Sequence, residues 1–399
     1  MARYLFAWEL GGDYGHLARL LPVALQLRSR GHEVVFAIRD LMGAEKLLSP
    51  HGLTYFQAPL WLRKVTQLPA AISYPELLMR FGYLNATALT GVCKAWRNLL
   101  AQLKPDAIVL DHAPTALLAT RGLGLARVNF GTGFCIPPHG RPMPHFRWWQ
   151  PEDMMRLHDS ERHAVATANQ VLVELDAPTI SGMGALRDCD DTLMCTFAEL
   201  DHYPERKEND YLGPIFSLGQ GVDMAWPQAN APKVFAYLKP EYAGLEAILA
   251  ALRTSGASVL AHVPGATGQT LEKFSGNSMV VSADPLDINR MRAGCDLAIC
   301  HGGAGTTAAM LLAGKPLMVF PMQMEQTMGA HRLAAMGAGV ALSAQASAQM
   351  PLLLRKALAD PSLSQAAQGF AKRYQGYDQN QTIRTAADRC EAVVQRYTP

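Results

Sequence analysis

The sequence has no hydrophobic run of transmembrane length, no CxxC pair and no marked excess of either charge. A membrane span needs about 20 consecutive apolar residues, so the first absence argues against stable membrane insertion. The amino-terminal stretch Met1 to His16 is too short and lacks a small-residue cleavage site, so no secretion signal is expected and the chain reads as cytoplasmic. Seven cysteines, at 93, 135, 189, 195, 295, 300 and 390, are odd in number and scattered. That pattern fits buried free thiols in a reducing compartment, not a disulfide framework. A net charge of +2 gives no reason to expect nucleic acid. No DxD-type pair occupies a convincing loop position. Asp190-Asp191 reads as a cap or surface pair, and no metal is expected.

What is present is an apolar, weakly charged composition, 49% hydrophobic and 18% charged over 399 residues, which suits two globular domains. The most informative segment is LAICHGGAGTTAAMLLAGKPLMVFP at 297–321. Leu297 to Cys300 reads as a buried parallel strand, Ala308 to Ala313 as a helix stopped by Gly314 and Pro316, and Leu317 to Phe320 as a second strand. Between strand and helix lie His301, Gly302, Gly303, Ala304, Gly305, Thr306 and Thr307. Glycines let backbone approach a phosphate closely, and a helix start offers open N–H groups and a positive dipole. His301 and the hydroxyls of Thr306 and Thr307 can add donors to the same oxygens.

The first half repeats the α/β theme. Tyr4 to Leu10 is an apolar strand, Gly11-Gly12-Asp13-Tyr14-Gly15 a turn, His16 to Arg30 a helix with leucines at helical spacing, and His32 to Ile38 a returning strand. Strands are expected at 53–58, 107–111 and 126–130, with a loop-and-helix excursion at 60–80. Residues 134–150, FCIPPHGRPMPHFRWWQ, carry too many prolines for a regular element. Phe134, Phe146, Trp148 and Trp149 either line an apolar pocket or pack that loop on its own domain. The charged run ERKEND at 205–210 suits a linker. The fold class is therefore α/β, with two Rossmann-like doubly wound domains facing a cleft. The expected domains are 1–211, 212–380 and a carboxy-terminal helix at 381–399 packing back on existing structure.

Four segments resemble the nucleotide-sugar-dependent, family-one glycosyltransferases of the GT-B fold. They are GGDYGHLARLLPVALQLRSRGHEVVFA at 11–37, VLDHAPTA at 109–116, YLGP at 211–214 and CHGGAGTTAAMLLAGKPLMVFPMQMEQ at 300–326. The resemblance implies a donor nucleoside-diphosphate sugar (UDP- or dTDP-linked) held by the second domain. It implies a small apolar or aromatic acceptor on the first, inverting transfer, no cofactor, and a monomer or homodimer. By position, His301 and residues 303–306 would meet the diphosphate, Glu325 and Gln326 the sugar hydroxyls, His16 would be the base and Asp111 its orienting carboxylate. The chain departs from the family in three places. Pro22 stands later than the usual proline after the histidine. Leu238-Lys239-Pro240 replaces a Ser-Gly turn, and Glu325 replaces the commoner aspartate.

The chemistry favours the same roles. A hydroxyl attacking an anomeric carbon benefits from a base that titrates near neutrality, and a carboxylate on the second ring nitrogen fixes the tautomer. Asp13 and His112 are rival groups beside the dyad. Other readings consistent with the residues are a transferase acting on a lipid carrier, a nucleotide-sugar epimerase, and a catalytically silent nucleotide-sugar binder.

Overall fold

The computed structural model describes residues 1–12, 14–207, 210–216 and 221–397; Asp13, a rival base in the sequence reading, lies outside them. The chain divides into two compact units. One comprises Met1–Ile215 with Asp378–Pro399, the other Phe216–Tyr377.

The first unit is built on a six-stranded, all-parallel sheet. Its strands are β1 (Arg3–Trp8), β2 (Glu33–Ile38), β3 (Thr54–Gln57), β4 (Ala107–Asp111), β5 (Ala126–Gly131) and β6 (Asp191–Met194), in the order β3-β2-β1-β4-β5-β6. Helices cover both faces, so β1 and β4 are buried along almost their whole length and read as continuous apolar runs. Helix Gly15–Ser29 follows β1 and buries Leu17, Leu20, Val23, Ala24 and Leu27 at helical spacing. Chain order reverses between β1 and β4. In open α/β sheets that switch point, at the strand carboxyl ends, is where a crevice forms.

The last helix, Gln379–Gln395, begins at Asp378, whose carboxylate accepts from Asn380 N at 2.8 Å. Its Ile383, Ala386, Ala387, Cys390 and Val393 share one core with Leu17, Leu20, Phe36 and Val128. Asp191 corrects the sequence reading. It is the first residue of β6, and Arg389 of the last helix donates Nε to it at 2.8 Å. Four residues, Asp-Thr-Leu-Met, are too few for alternation to be distinguished from a loop.

The second unit repeats the architecture. Strands β7 (Lys233–Tyr237), β8 (Ser258–His262), β9 (Met279–Ser282), β10 (Leu297–Cys300), β11 (Leu317–Val319) and β12 (Gly339–Ala341) are all parallel, in the order β12-β11-β10-β7-β8-β9. The switch point falls between β7 and β10, beside Leu238 and His301. No helix among the described residues is long and apolar enough to cross a membrane.

Candidate active site

At the switch point of the first unit, β1 runs out into Glu9, Leu10 and Gly11, and β4 into Asp111, His112 and Ala113. His16 sits in the first turn of helix Gly15–Ser29. Its Nδ1 lies 3.1 Å from Asp111 Oδ2, and both side chains are buried. Trp8 stacks on the His16 ring, centroids 5.1 Å apart and planes 20° from parallel, which holds the ring in its plane. Gly11 adopts φ +93°, and a Cβ there would stand 2.2 Å from His16 Nε2. Only glycine gives both the backbone conformation and the room for the ring.

Arg19 completes the cluster. One helical turn after His16, it places its terminal nitrogen 3.0 Å from Asp111 Oδ2 and 3.2 Å from His16 Nδ1. Burial raises the Asp111 pKa, but the Arg19 guanidinium and His16 outweigh it and hold the carboxyl down at about 2. Asp111 is therefore an ionised acceptor, and Nδ1 of His16 is assigned as the donor to it. That leaves Nε2 as the basic nitrogen, beside Gly11. Arg19 was missed from sequence; the signal was an arginine at i+3 from the histidine on an otherwise apolar helix face. Asp111, His16 and Cys135 bring one potential metal-ligand atom each within 4.8 Å of one another. A dication there would meet the buried guanidinium of Arg19 at short range.

Glu9, also missed, is fully enclosed. Its oxygens accept from Thr115 N at 3.0 Å and Ala116 N at 2.6 Å, which ties the turn after β4 to the end of β1. Burial pushes its carboxyl up to about 7, against those hydrogen bonds, which pull it down. Between the ordinary 4.5 and about 7 the native state keeps a proton that the unfolded chain has lost. This carboxyl's contribution to stability is thus full below about 4.5 and is lost as pH rises through about 7. Glu9→Gln is expected to flatten that fall. Urea midpoints taken at about pH 5 and about pH 8 should differ less in the variant than in the wild type. An unchanged difference would assign the pH dependence to other groups.

Loop 134–150 folds onto its own unit. Phe134 and Phe146 are buried and stack on each other at 5.4 Å, and Phe134 stands edge-on to His112 at 5.9 Å. Trp148 and Trp149 are half-buried. They meet edge-to-face, and Trp148 Nε1 donates to His202 O at 3.1 Å. Of the four aromatics, Phe134 comes nearest the dyad, through His112, with Phe146 behind it. A cavity of about 810 Å³ between helices Ala86–Leu103 and Met154–Glu174 contains none of these residues.

In the second unit the glycine turn follows β10. Gly302 takes φ +80°, and a Cβ there would press on Val319 at 2.7 Å. Gly303 is the residue before helix Ala304–Leu312, which no side chain caps, and a Cβ on it would meet nothing within 4 Å. The N–H groups of Ala304, Gly305 and Thr306 lie in the first turn of this helix, where an α-helix supplies no intrahelical acceptor. Thr306 is half-buried; Thr307 is buried, and its hydroxyl has no hydrogen-bond partner among the described residues. His301 Nδ1 lies 2.8 Å from Phe320 O, and its Nε2 accepts from Lys239 N at 2.8 Å. The ring thereby joins the ends of β7, β10 and β11 across the switch point. Lys239 enters through its backbone, in the turn Leu238-Lys239-Pro240. Helix Met324–Ala335 carries Glu325 in its first turn. Beside it, the side-chain amide oxygen of buried Gln326 accepts from Met322 N at 2.7 Å, and its main-chain carbonyl oxygen lies near Gly302.

The matching family profile is the carboxy-terminal domain of erythromycin biosynthesis protein CIII-like proteins, over residues 246–381. A zeaxanthin glucosyltransferase of Pseudescherichia vulneris is 24% identical over 363 residues, covering 82% of this chain and 83% of its own. A PGL/p-HBAD biosynthesis glycosyltransferase of Mycobacterium tuberculosis is 24% identical over 404 residues, covering 93% and 88%. The solved spinosyn rhamnosyltransferase SpnG, complexed with thymidine diphosphate, superposes with a TM-score of 0.70 at 19% identity, covering 96% of this chain and 99% of that one. The chain is a glycosyltransferase with the GT-B fold, similar to the family-one, nucleotide-sugar-dependent type. Two six-stranded parallel sheets, each with a switch point, are the framework such an enzyme needs.

Proposed function

We propose that this glycosyltransferase moves a sugar from a UDP- or dTDP-sugar to a hydroxyl of a small apolar or aromatic acceptor, with inversion and without a metal. The observation that carries the reading is the buried His16–Asp111 contact of 3.1 Å at the end of β4. Nε2 of His16 takes the acceptor proton as the hydroxyl oxygen forms its bond to the anomeric carbon. The diphosphate leaves with the electron pair of the broken C–O bond. One displacement on the face opposite the leaving group inverts the anomeric centre. Asp111 steadies the imidazolium and does not itself take the proton.

The charge that develops on the departing diphosphate is met by the open N–H groups at the start of helix Ala304–Leu312 and by Thr306 and Thr307. Glu325 and Gln326 hold sugar hydroxyls. Arg19 supports the metal-free reading, because its cation already lies on Asp111. The thymidine diphosphate bound to SpnG supports a dTDP donor, and the relatives named for zeaxanthin and spinosyn support an apolar organic acceptor. The test is incubation with UDP- and dTDP-sugars and a panel of phenols in the presence of EDTA, with the product anomer read by NMR. Transfer with retention, or transfer only after a divalent metal is restored, would overturn the mechanism.

His301→Ala bears on the donor half. Loss of the ring releases the Lys239 turn and the Phe320 carbonyl together. Affinity for a nucleoside diphosphate is expected to fall by on the order of 1–3 kcal/mol. Calorimetric titration checks it; unchanged affinity would remove His301 from the site.

A further inference from the structure

His112 is the least expected residue of the first unit. It is 5% exposed, yet neither ring nitrogen has a hydrogen-bond partner among the described residues. Its backbone stands at φ +46°, a left-handed conformation that a histidine adopts at a cost. Buried polar atoms are nearly always paired, so two orphans on one strained residue call for a partner outside the chain.

The surroundings indicate what that partner is. His112 follows Asp111 directly, and its ring lies 6.0 Å from that of His16, inclined by 29°. Tyr74, from the 60–80 excursion, flanks it at 6.0 Å, and Phe134 closes the other side edge-on. Burial, with His16 nearby, holds the imidazole down at about 3, so it is neutral throughout the physiological range. A neutral imidazole offers one N–H and one lone pair. Those match a hydroxyl, which can both donate and accept, or a carbonyl oxygen facing the N–H.

We propose that His112 is the acceptor-specificity residue, which hydrogen-bonds a second oxygen of a flat aromatic acceptor while His16 deprotonates the hydroxyl that receives the sugar. This deepens the function proposed above and rests on it only in naming the ligand an acceptor. The rings of Tyr74 and Phe134 supply the apolar walls. The separation of the two imidazoles restricts the second oxygen to the same ring system as the attacked one. An acceptor with a single oxygen leaves the His112 nitrogens unpaired, and that penalty is the source of discrimination.

Binding titrations without donor test this, using 2-naphthol and 2,3-dihydroxynaphthalene and following tryptophan fluorescence. The wild type is expected to bind the diol at least tenfold more tightly. His112→Phe keeps a ring of similar shape without nitrogens and should bind both probes within about threefold of each other. His112→Asn tolerates the left-handed backbone and keeps polar atoms, so it should restore part of the preference. Asn also serves as the folded variant if Phe is not tolerated, with unfolding temperature as the check. No preference in the wild type, or an undiminished preference in His112→Phe, would overturn the proposal; internal water would then be the partner. If the binding preference holds but no sugar is transferred to either naphthol, the transferase reading of this acceptor site fails while the subsite stands.

Discussion

Replacing His16 by alanine is expected to cut turnover by roughly 100- to 10,000-fold, the range for loss of a positioned general base. Nucleoside diphosphate affinity should not change, because every group assigned to the diphosphate belongs to the second unit. Asp111→Asn should also lower turnover, since the imidazole loses the acceptor that sets its tautomer. That variant has a second consequence. It removes the carboxylate on which the buried Arg19 guanidinium lies at 3.0 Å, and separating a buried charge from its counter-charge costs several kcal/mol. Asp111→Asn is therefore expected to lower the unfolding temperature further than His16→Ala does. The double variant should be little slower than His16→Ala alone, because the aspartate acts through the histidine. Steady-state rates and thermal unfolding of the three proteins decide the matter. Full turnover in His16→Ala would mean that Asp13 or the substrate supplies the base.

Gly11→Ala is expected to be as damaging as His16→Ala. The methyl group would fall 2.2 Å from His16 Nε2, the nitrogen assigned to the acceptor proton, and the backbone at φ +93° resists a side chain. Either the imidazole turns away from Asp111 or the turn after β1 is rebuilt. Turnover should fall at least about 100-fold, as for removal of the base itself. Gly12→Ala is the matched control. A Cβ at Gly12 meets nothing within 4 Å, so its turnover should stay within a few-fold of wild type. Equal rates for Gly11→Ala and the wild type would show that His16 Nε2 is not held against Gly11 during the reaction.

Much of this arrangement was legible in the sequence because the strands that build it are unbroken apolar runs, two of them leading into glycine turns at Gly11 and Gly302. β1, β4 and β10 are buried on both faces and so appear as unbroken hydrophobic runs, and the residues just past them head the site. What was not legible had weaker local signals. β6 and β12 are edge strands of four and three residues, only partly buried, so they lack the unbroken apolar run that marks β10. Arg19 looks like one more polar residue in a helix until the fold brings β4 beneath it. Glu9 lies in an apolar stretch, and only the position of helix Pro114–Ala119 shows why a carboxylate is buried there. His301 is conspicuous as the last residue before the glycine turn. That both of its nitrogens hold main chain follows from long-range packing, which no motif encodes. The aromatics of 134–150 were visible as a group, but the sequence could not separate Phe134, beside His112, from Trp148 and Trp149.

The helix Gln379–Gln395 gives the chain an unusual order of assembly. The unit that carries His16 and Asp111 is discontinuous, and its core takes in Ile383, Ala386, Cys390 and Val393, made only after the whole of the other unit has been translated. The unit with the glycine turn is one uninterrupted segment, Phe216–Tyr377. On the ribosome the usual amino-terminal-first sequence is therefore inverted at its end. The unit with the glycine turn has all its residues in hand while the unit with His16 still lacks a wall. A premature stop near residue 378 would then spare the unit next to it and strike the histidine-bearing unit more than 360 residues upstream.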